Sequence, residues 1–393
     1  MENDQLPRRL VLGVCCLLMM GGGLVHVGPA LLLTAIAVEF DMGFSPRGMF
    51  LGAVFGGMLP TILLSGPLAD RIGFRFPLAV SFVIQTFGML LVSWAQDFWM
   101  IVVGAVLLGL GRGFTSALMT PIVCLLYPKR RAAMTNALHT FFCVGLVVLV
   151  LLVMFLLHRG WDWRQMFRLL AVVTASFSII ILLTPFPHRT HGGSERMRFR
   201  TMMRHPIFAA LAVGLLIGTA VETGSSMWLP NFVEEVTRSK TRSGVSLLLF
   251  GLAMGTGRFF CTNMVERLGV LGLFALVCPL CAAALVLAAC DVHDVVTIGC
   301  LTVVGFSVAG FFPTMLAVAA DRFPHAGASM YSSLTMCGIG GGLIGPLLIG
   351  WGADAFGLRW AMGMVAGLPL ALLVFMWYFL RHNHLKSGCQ NEN

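Results

Sequence analysis

Five side chains able to carry or move charge lie inside apolar stretches of this sequence: His26, Arg112, His139, Glu222 and Arg258. A charge at the centre of a bilayer costs about 3 kcal/mol on insertion scales and persists where it faces protein or water. Such residues mark a polar interior, and their types say what it could hold. A guanidinium is a planar fork that grips a carboxylate or phosphate through two parallel hydrogen bonds. A carboxyl and an imidazole can exchange protons near neutral pH when neighbours retune them. Two arginines against one glutamate leave an excess of positive charge, which favours an anion.

The surroundings extend this set. His26 lies in GGGLVHVGP and Glu222 in GTAVETGSS, glycine-broken stretches that free backbone groups to meet a ligand. Arg112 lies in GLGRGFTS, with Ser116 one helical turn on. Arg258 stands eight residues before Glu266, about 12 Å along a helix, deep enough to reach a central cavity. Asn136, His139 and Thr140 share one helical face, which either extends the cavity or joins neighbouring helices. Trp228 and Asn231 continue beyond Glu222. Trp228 either stacks on a sugar, caps the cavity, or sits as an aromatic at the outer membrane surface. Phe311, with Phe306 and Phe312, reads as apolar cavity wall.

The substrate-binding set is thus Arg112, Ser116, Asn136, His139, Glu222, Trp228, Asn231, Arg258 and Phe311, with Glu222 and His26 as the proton-coupling pair. Structural roles compete with each assignment. His26 could be a donor fixing its helix to a neighbour, and Glu222 could form a fixed ion pair with an arginine. Arg112 could cap carbonyls or snorkel, and Arg258 could support a loop.

These residues need a membrane-spanning scaffold. The chain has 393 residues, 58% hydrophobic and 11% charged, with mean hydropathy +0.89. Soluble chains carry about 25% charged residues, so disorder and an ordinary cytosolic enzyme are excluded. The net charge of +9 sits in short loops between apolar runs, as a membrane protein keeps it, and does not point to nucleic acid. Twelve segments are long and apolar enough to span: 10–38, 48–69, 76–96, 98–127, 132–158, 166–185, 206–233, 243–264, 270–290, 294–320, 326–352 and 358–380. With backbone groups unsatisfied by lipid, they must be helices. Arg8 and Arg9 precede a first run too long for a signal-peptide core, so it reads as an uncleaved span. The N-terminal side carries 16 Lys and Arg, the other side 8. This bias predicts both termini in the cytoplasm and a multi-pass protein of the cell (inner) membrane. Ten of the eleven cysteines lie in apolar runs and Cys389 in the tail, without metal-ligand spacing. No metal and no cofactor is expected.

The chain also repeats itself. At a shift of 196, Gly22 meets Gly218, Gly28 meets Gly224, Gly109 meets Gly305, Pro128 meets Pro324 and Gly145 meets Gly341. Asp70-Arg71-Ile72-Gly73 meets Glu266-Arg267-Leu268-Gly269, and His26 meets Glu222. At 197, Gly160 meets Gly357 and Trp163 meets Trp360. The expected organisation is a six-helix bundle over 1–185, a basic cytoplasmic linker over 186–205 and a second bundle over 206–393. Parallel repeats of this kind place a substrate site at their interface near mid-membrane. Equivalent places on either side of the pseudo-twofold axis would let His26 and Glu222 face each other.

The loop GPLADRIGFR, Gly66 to Arg75, resembles the signature loop of the major facilitator superfamily, and GRFFCTNMVERLG, Gly257 to Gly269, resembles its second copy. The resemblance implies twelve helices in two parallel repeats, usually monomeric, with spans one, four, seven and ten lining the cavity. It implies a cytoplasmic latch between the halves at Gly66, Asp70, Arg71, Gly73, Arg75, Glu266 and Arg267. A carboxylate at a helix N-terminus with an arginine partner is a separable clasp. GFSVAGFFPT and GIGGGLIGPLLIGWGADAFGLRW, between Gly305 and Trp360, and ETGSSMWLPNF, Glu222 to Phe232, look like the fucose permease group of sugar–proton symporters. That group places functional carboxylates in spans one and four, where this sequence offers His26 and Arg112.

These readings converge on an all-α membrane transporter that moves a small organic solute by alternating access. A proton stands ahead of sodium as coupling ion, and an organic anion ahead of a sugar. A sugar–proton symporter, a drug or metabolite exporter and a non-transporting sensor are the alternatives. The chain carries no GxxxxGK[ST], HExxH or GxSxG, so neither ATP-driven transport nor an enzyme is expected.

Overall fold

The computed structural model describes residues 5–127, 131–186, 205–290, 293–323 and 327–388. The described residues form helices and connecting turns. The order is α1 (Gln5–Leu31), α2 (Leu33–Glu39), α3 (Phe44–Ile72), α4 (Arg75–Ser93), α5 (Phe98–Leu126), α6 (Arg131–His158), α7 (Trp163–Leu183), α8 (Pro206–Thr237), α9 (Lys240–Ala289), α10 (Asp294–Val308), α11 (Phe311–Arg322), α12 (Gly327–Phe356), α13 (Leu358–Met364) and α14 (Gly367–Gly388). Twelve stretches among them are long and apolar enough to cross a membrane. An even number of crossings returns the chain to the side where it began, called here the termini side; the opposite side is the far side.

Local chemistry sets the boundaries. Asp97 caps α5 by accepting from the Met100 amide at 2.9 Å. Asp162 and Gln165 cap α7 reciprocally at 2.7 and 3.0 Å. The spans expected at 243–264 and 270–290 are the two arms of α9, separated by a non-helical turn at Gly269 where φ is +70°. The first span divides at Leu32 into α1 and α2. Of the expected linker at 186–205, residues 187–204 lie outside the described residues.

The internal repeat reaches the backbone. The positive-φ glycines among the described residues are Gly73, Gly160, Gly269 and Gly357. They form the two pairs that the 196 and 197 shifts match. Helix contacts repeat as well. A Cβ on Gly109 would stand 2.0 Å from the Val54 carbonyl oxygen, and one on Gly305 would stand 2.6 Å from that of Phe250. Residues 54 and 250 again differ by 196. A Cβ on Gly145 would meet the Met20 carbonyl oxygen at 1.9 Å, and one on Gly341 that of Leu216 at 2.0 Å. So α3 meets α5 as α9 meets α10, and α1 meets α6 as α8 meets α12. Backbone contact this close excludes any side chain, which is why the matched positions are glycine.

The outward faces suit lipid. Phe87, Val172, Leu183, Phe259 and Val374 are exposed. Trp94, Trp99, Trp161, Trp351 and Trp360 are exposed near the far ends of their helices, an aromatic belt at that interface. Trp228 does not join it. It is fully buried and donates from Nε1 to the Pro346 carbonyl at 3.0 Å, which corrects the reading of an interfacial aromatic.

Candidate functional site

Three helices aim charge at mid-membrane, and glycine lets the first do so. Gly111 and Gly113 flank Arg112 on α5. A Cβ on Gly111 would stand 2.3 Å from the Ser81 carbonyl oxygen of α4, and one on Gly113 would stand 2.0 Å from Thr61 Oγ1 of α3. Wedged between two neighbours, α5 turns Arg112 inward, where the residue is 6% exposed. Its Nη1 lies 2.9 Å from Nδ1 of His26 on α1. A guanidinium only donates, so His26 Nδ1 must accept and the imidazole is neutral, with its proton on Nε2. The His26 ring is braced by Phe55 of α3 at 5.7 Å and Phe142 of α6 at 5.3 Å.

Glu222 of α8 accepts from Nη2 of Arg258 of α9 at 3.1 Å, and the two side chains keep 16% and 19% exposure. Arg258 also reaches Cys143 Sγ of α6 and Met254 Sδ, each at 3.9 Å, while its buried Nε has no partner. The neighbouring residues Phe142 and Cys143 of α6 meet His26 and Arg258 respectively, so α6 links the two pairs. His139 Nε2 lies 3.4 Å from Thr120 Oγ1 of α5. These contacts make one cluster from α1, α5, α6, α8 and α9.

The partnerships differ from those the sequence suggested. His26 and Glu222 do not pair; each takes its own arginine. A shift of 196 makes them equivalent in the repeat, and equivalence is not contact. His26 is an acceptor rather than a structural donor, and Arg112 bonds an imidazole rather than capping carbonyls. Glu222 and Arg258 form the ion pair considered as an alternative for Glu222. Ser116 is half-buried one turn beyond Arg112. Its neighbour Thr115 faces α4, bonding Ser81 at 3.1 Å. The Asn136 side chain lies outside the described residues. Phe311 stacks on Phe274 at 5.8 Å and packs against Gly218, one turn before Glu222 on α8.

Trp228 and Asn231 belong to a far-side seal. Asp354, near the end of α12, accepts from the Phe44 and Ser45 amides at 3.0 Å and from the Ser45 hydroxyl. A carboxylate at the N-terminus of α3 opposes the partial positive charge there. Arg47 donates to Asn231 Oδ1 at 3.3 Å, and Asn231 Nδ2 donates to Thr34 Oγ1 at 2.9 Å. Arg47 covers the Phe44 ring at 4.9 Å, and Phe44 lies 6.2 Å from Trp228. Close packing of α3 on α12 continues inward from Gly48 beside Pro346 to Phe55 beside Gly342. Trp228 and Asn231 stood out in the sequence, but Asp354, Arg47 and Thr34, which complete the seal, did not. For these, a lone acid in GWGADAFG was the one available signal, and its partner is a backbone terminus that no motif encodes.

On the termini side, Gly66 has open space beside it. Arg71, Arg75, Glu266 and Arg267 are exposed, and among the described residues no ion pair joins them. Gly73 turns the loop with φ +79°. The Asp70 side chain lies outside the described residues.

The sequence profile described as Major Facilitator Superfamily matches residues 11–338 and 239–392. The chain is 24% identical to the uncharacterized MFS-type transporter YfkL of Bacillus subtilis over 58% of this chain and 59% of that one. It is 24% identical to the D-xylose transporter of Levilactobacillus brevis over 56% and 49%. The alignments thus span about half to three fifths of those two relatives. It is 25% identical to the purine ribonucleoside efflux pump NepI of Shigella dysenteriae over 92% and 91%. The fold is similar to that of the nucleoside transporter NupG, with TM-score 0.78, 13% identity and coverage of 94% and 100%. It is also similar to that of the E. coli fucose:proton symporter FucP, with TM-score 0.67, 15% identity and coverage of 94% and 98%.

Proposed function

The chain belongs to the Major Facilitator Superfamily, and from that premise we propose that it is a secondary transporter carrying a small organic anion by alternating access, coupled to protons. One observation carries the choice of cargo. Glu222 neutralises Arg258, His26 is neutral, and among the described residues no carboxylate pairs with Arg112 in the middle of its span. A buried unpaired charge is costly, and an entering carboxylate or phosphate relieves that cost. The guanidinium fork would seat it bidentately, with Ser116 one turn away.

The seal supports a state open toward the termini side. Asp354, Arg47, Asn231 and Trp228 close the far side, while Glu222 and Arg258 retain exposure. Cargo would then enter or leave past the exposed latch residues Arg71, Arg75, Glu266 and Arg267. The 16:8 charge bias supports a cytoplasmic location for that side, in a monomeric protein of the cell (inner) membrane built from halves at 1–185 and 206–393.

A sugar–proton symporter is the second reading. The names of the D-xylose transporter and FucP favour it. Thermal stability of the detergent-purified protein separates the two. The panel holds L-lactate, D-gluconate, succinate, glycerol 3-phosphate, D-xylose and L-fucose. A ligand at 100 times its Kd adds about 2.7 kcal/mol of stability. The expected result is stabilisation by an anion, lost in Arg112→Lys because a point charge replaces the fork. Stabilisation by D-xylose or L-fucose alone overturns the anion reading.

A further inference from the structure

We infer that His26 and the transported anion compete for Arg112, and that this exchange couples one proton to each anion bound. The inference rests on the organic-anion reading and adds to it the group that takes the proton. In the present state, Arg112 Nη1 donates to His26 Nδ1 at 2.9 Å. That nitrogen is the only position where neutral His26 can accept a second proton. While Arg112 occupies it, the imidazole cannot charge. An anion that draws the guanidinium to itself vacates Nδ1 and places a negative charge near the ring.

The step balances. One monoanion and one proton enter; Arg112 exchanges an imidazole for the anion, and Nδ1 takes the proton. Cluster charge is the same before and after, so no uncompensated charge moves into the low-dielectric interior. By reciprocity, protonation of His26 releases Arg112 and tightens anion binding by the same factor.

The groups facing His26 fit this assignment. From α5 comes Arg112, and α6 and α3 contribute the Phe142 and Phe55 rings. Near Arg258 of α9 stand Glu222 of α8 and Cys143 of α6. Glu222 is committed to Arg258, so the anion's own charge is what balances the imidazolium. His139 of α6 bonds Thr120 at 3.4 Å.

Isothermal titration of the full chain in detergent tests this, with the stabilising anion of the panel as probe. Two buffers of different ionisation enthalpy at the same pH count the protons bound. The expected result is uptake of one proton per monoanion at pH 7.5, with affinity rising about tenfold per pH unit on acidification. In His26→Gln, whose side-chain oxygen can still accept from Arg112, the anion is expected to bind without proton uptake. Anion binding to the wild type without proton uptake overturns the exchange while leaving the anion reading intact. So does uptake that persists in His26→Gln and vanishes in Glu222→Gln. If no anion of the panel binds, the anion reading fails and the exchange fails with it.

Discussion

Arg112 and Arg258 are both buried cations on the cluster, and their neighbours make them different. Arg258 meets a carboxylate at 3.1 Å, whereas Arg112 meets a neutral imidazole at 2.9 Å. Removing one member of a buried ion pair strands the other, at a cost of about 3 kcal/mol. Glu222→Ala and Arg258→Ala are each expected to lower the denaturation midpoint, and the double variant to be more stable than either single. Equal and additive losses would mean that the pair is solvated and contributes little. Residue types were legible in the sequence, because a charge inside an apolar run stands out. Partners were not. Which imidazole meets which guanidinium depends on the rotation of α1 against α5 and of α8 against α9, and packing sets that rotation. Cys143 carries no signal of its own, since a cysteine in an apolar run reads as a small apolar residue, although it lies beside Arg258.

Among the helices, spacing is controlled by backbone contact at glycine. Gly145 on Met20 and Gly341 on Leu216 are the same contact in the two repeats. Alanine at either position is expected to cost about 1–3 kcal/mol by overpacking, with similar losses at the two positions. Gly22→Ala, where nothing lies within 4 Å, is expected to be neutral or slightly stabilising, since alanine is the better helix former. Thermal denaturation of the three variants reads this directly; a loss at Gly22 equal to that at Gly145 would contradict it. The elements were the most legible level. Lipid forces unbroken apolar runs, so the twelve spans fall close to where the sequence puts them. Matches between Gly109 and Gly305 were ambiguous in a chain with 45 glycines, but their carbonyl partners Val54 and Phe250 share the same shift. The turn at Gly269 was legible, because its ERLG loop matches the DRIG loop at Gly73 and both glycines adopt positive φ.

For the molecule as a whole, the proposed alternating access rests on a difference between its two sides. The far side is joined through Asp354 of α12 at the N-terminus of α3 and the Arg47–Asn231–Thr34 chain, while Arg71, Arg75, Glu266 and Arg267 of the termini side are exposed. Loss of a capping carboxylate costs about 1 kcal/mol. Asp354→Ala is therefore expected to speed hydrogen exchange of peptides covering residues 44–48 by about fivefold, without a matching increase at 66–75. Unchanged exchange at 44–48 would show that helix packing alone holds the seal. The most direct measurement of the central claim is uptake into proteoliposomes under an imposed pH gradient, using the anion that most stabilises the purified protein. The account predicts accumulation on the alkaline side, its collapse by a protonophore, and its loss in Arg112→Lys. Accumulation that is unchanged in Arg112→Lys, or uptake confined to neutral sugars or nucleosides, would contradict it.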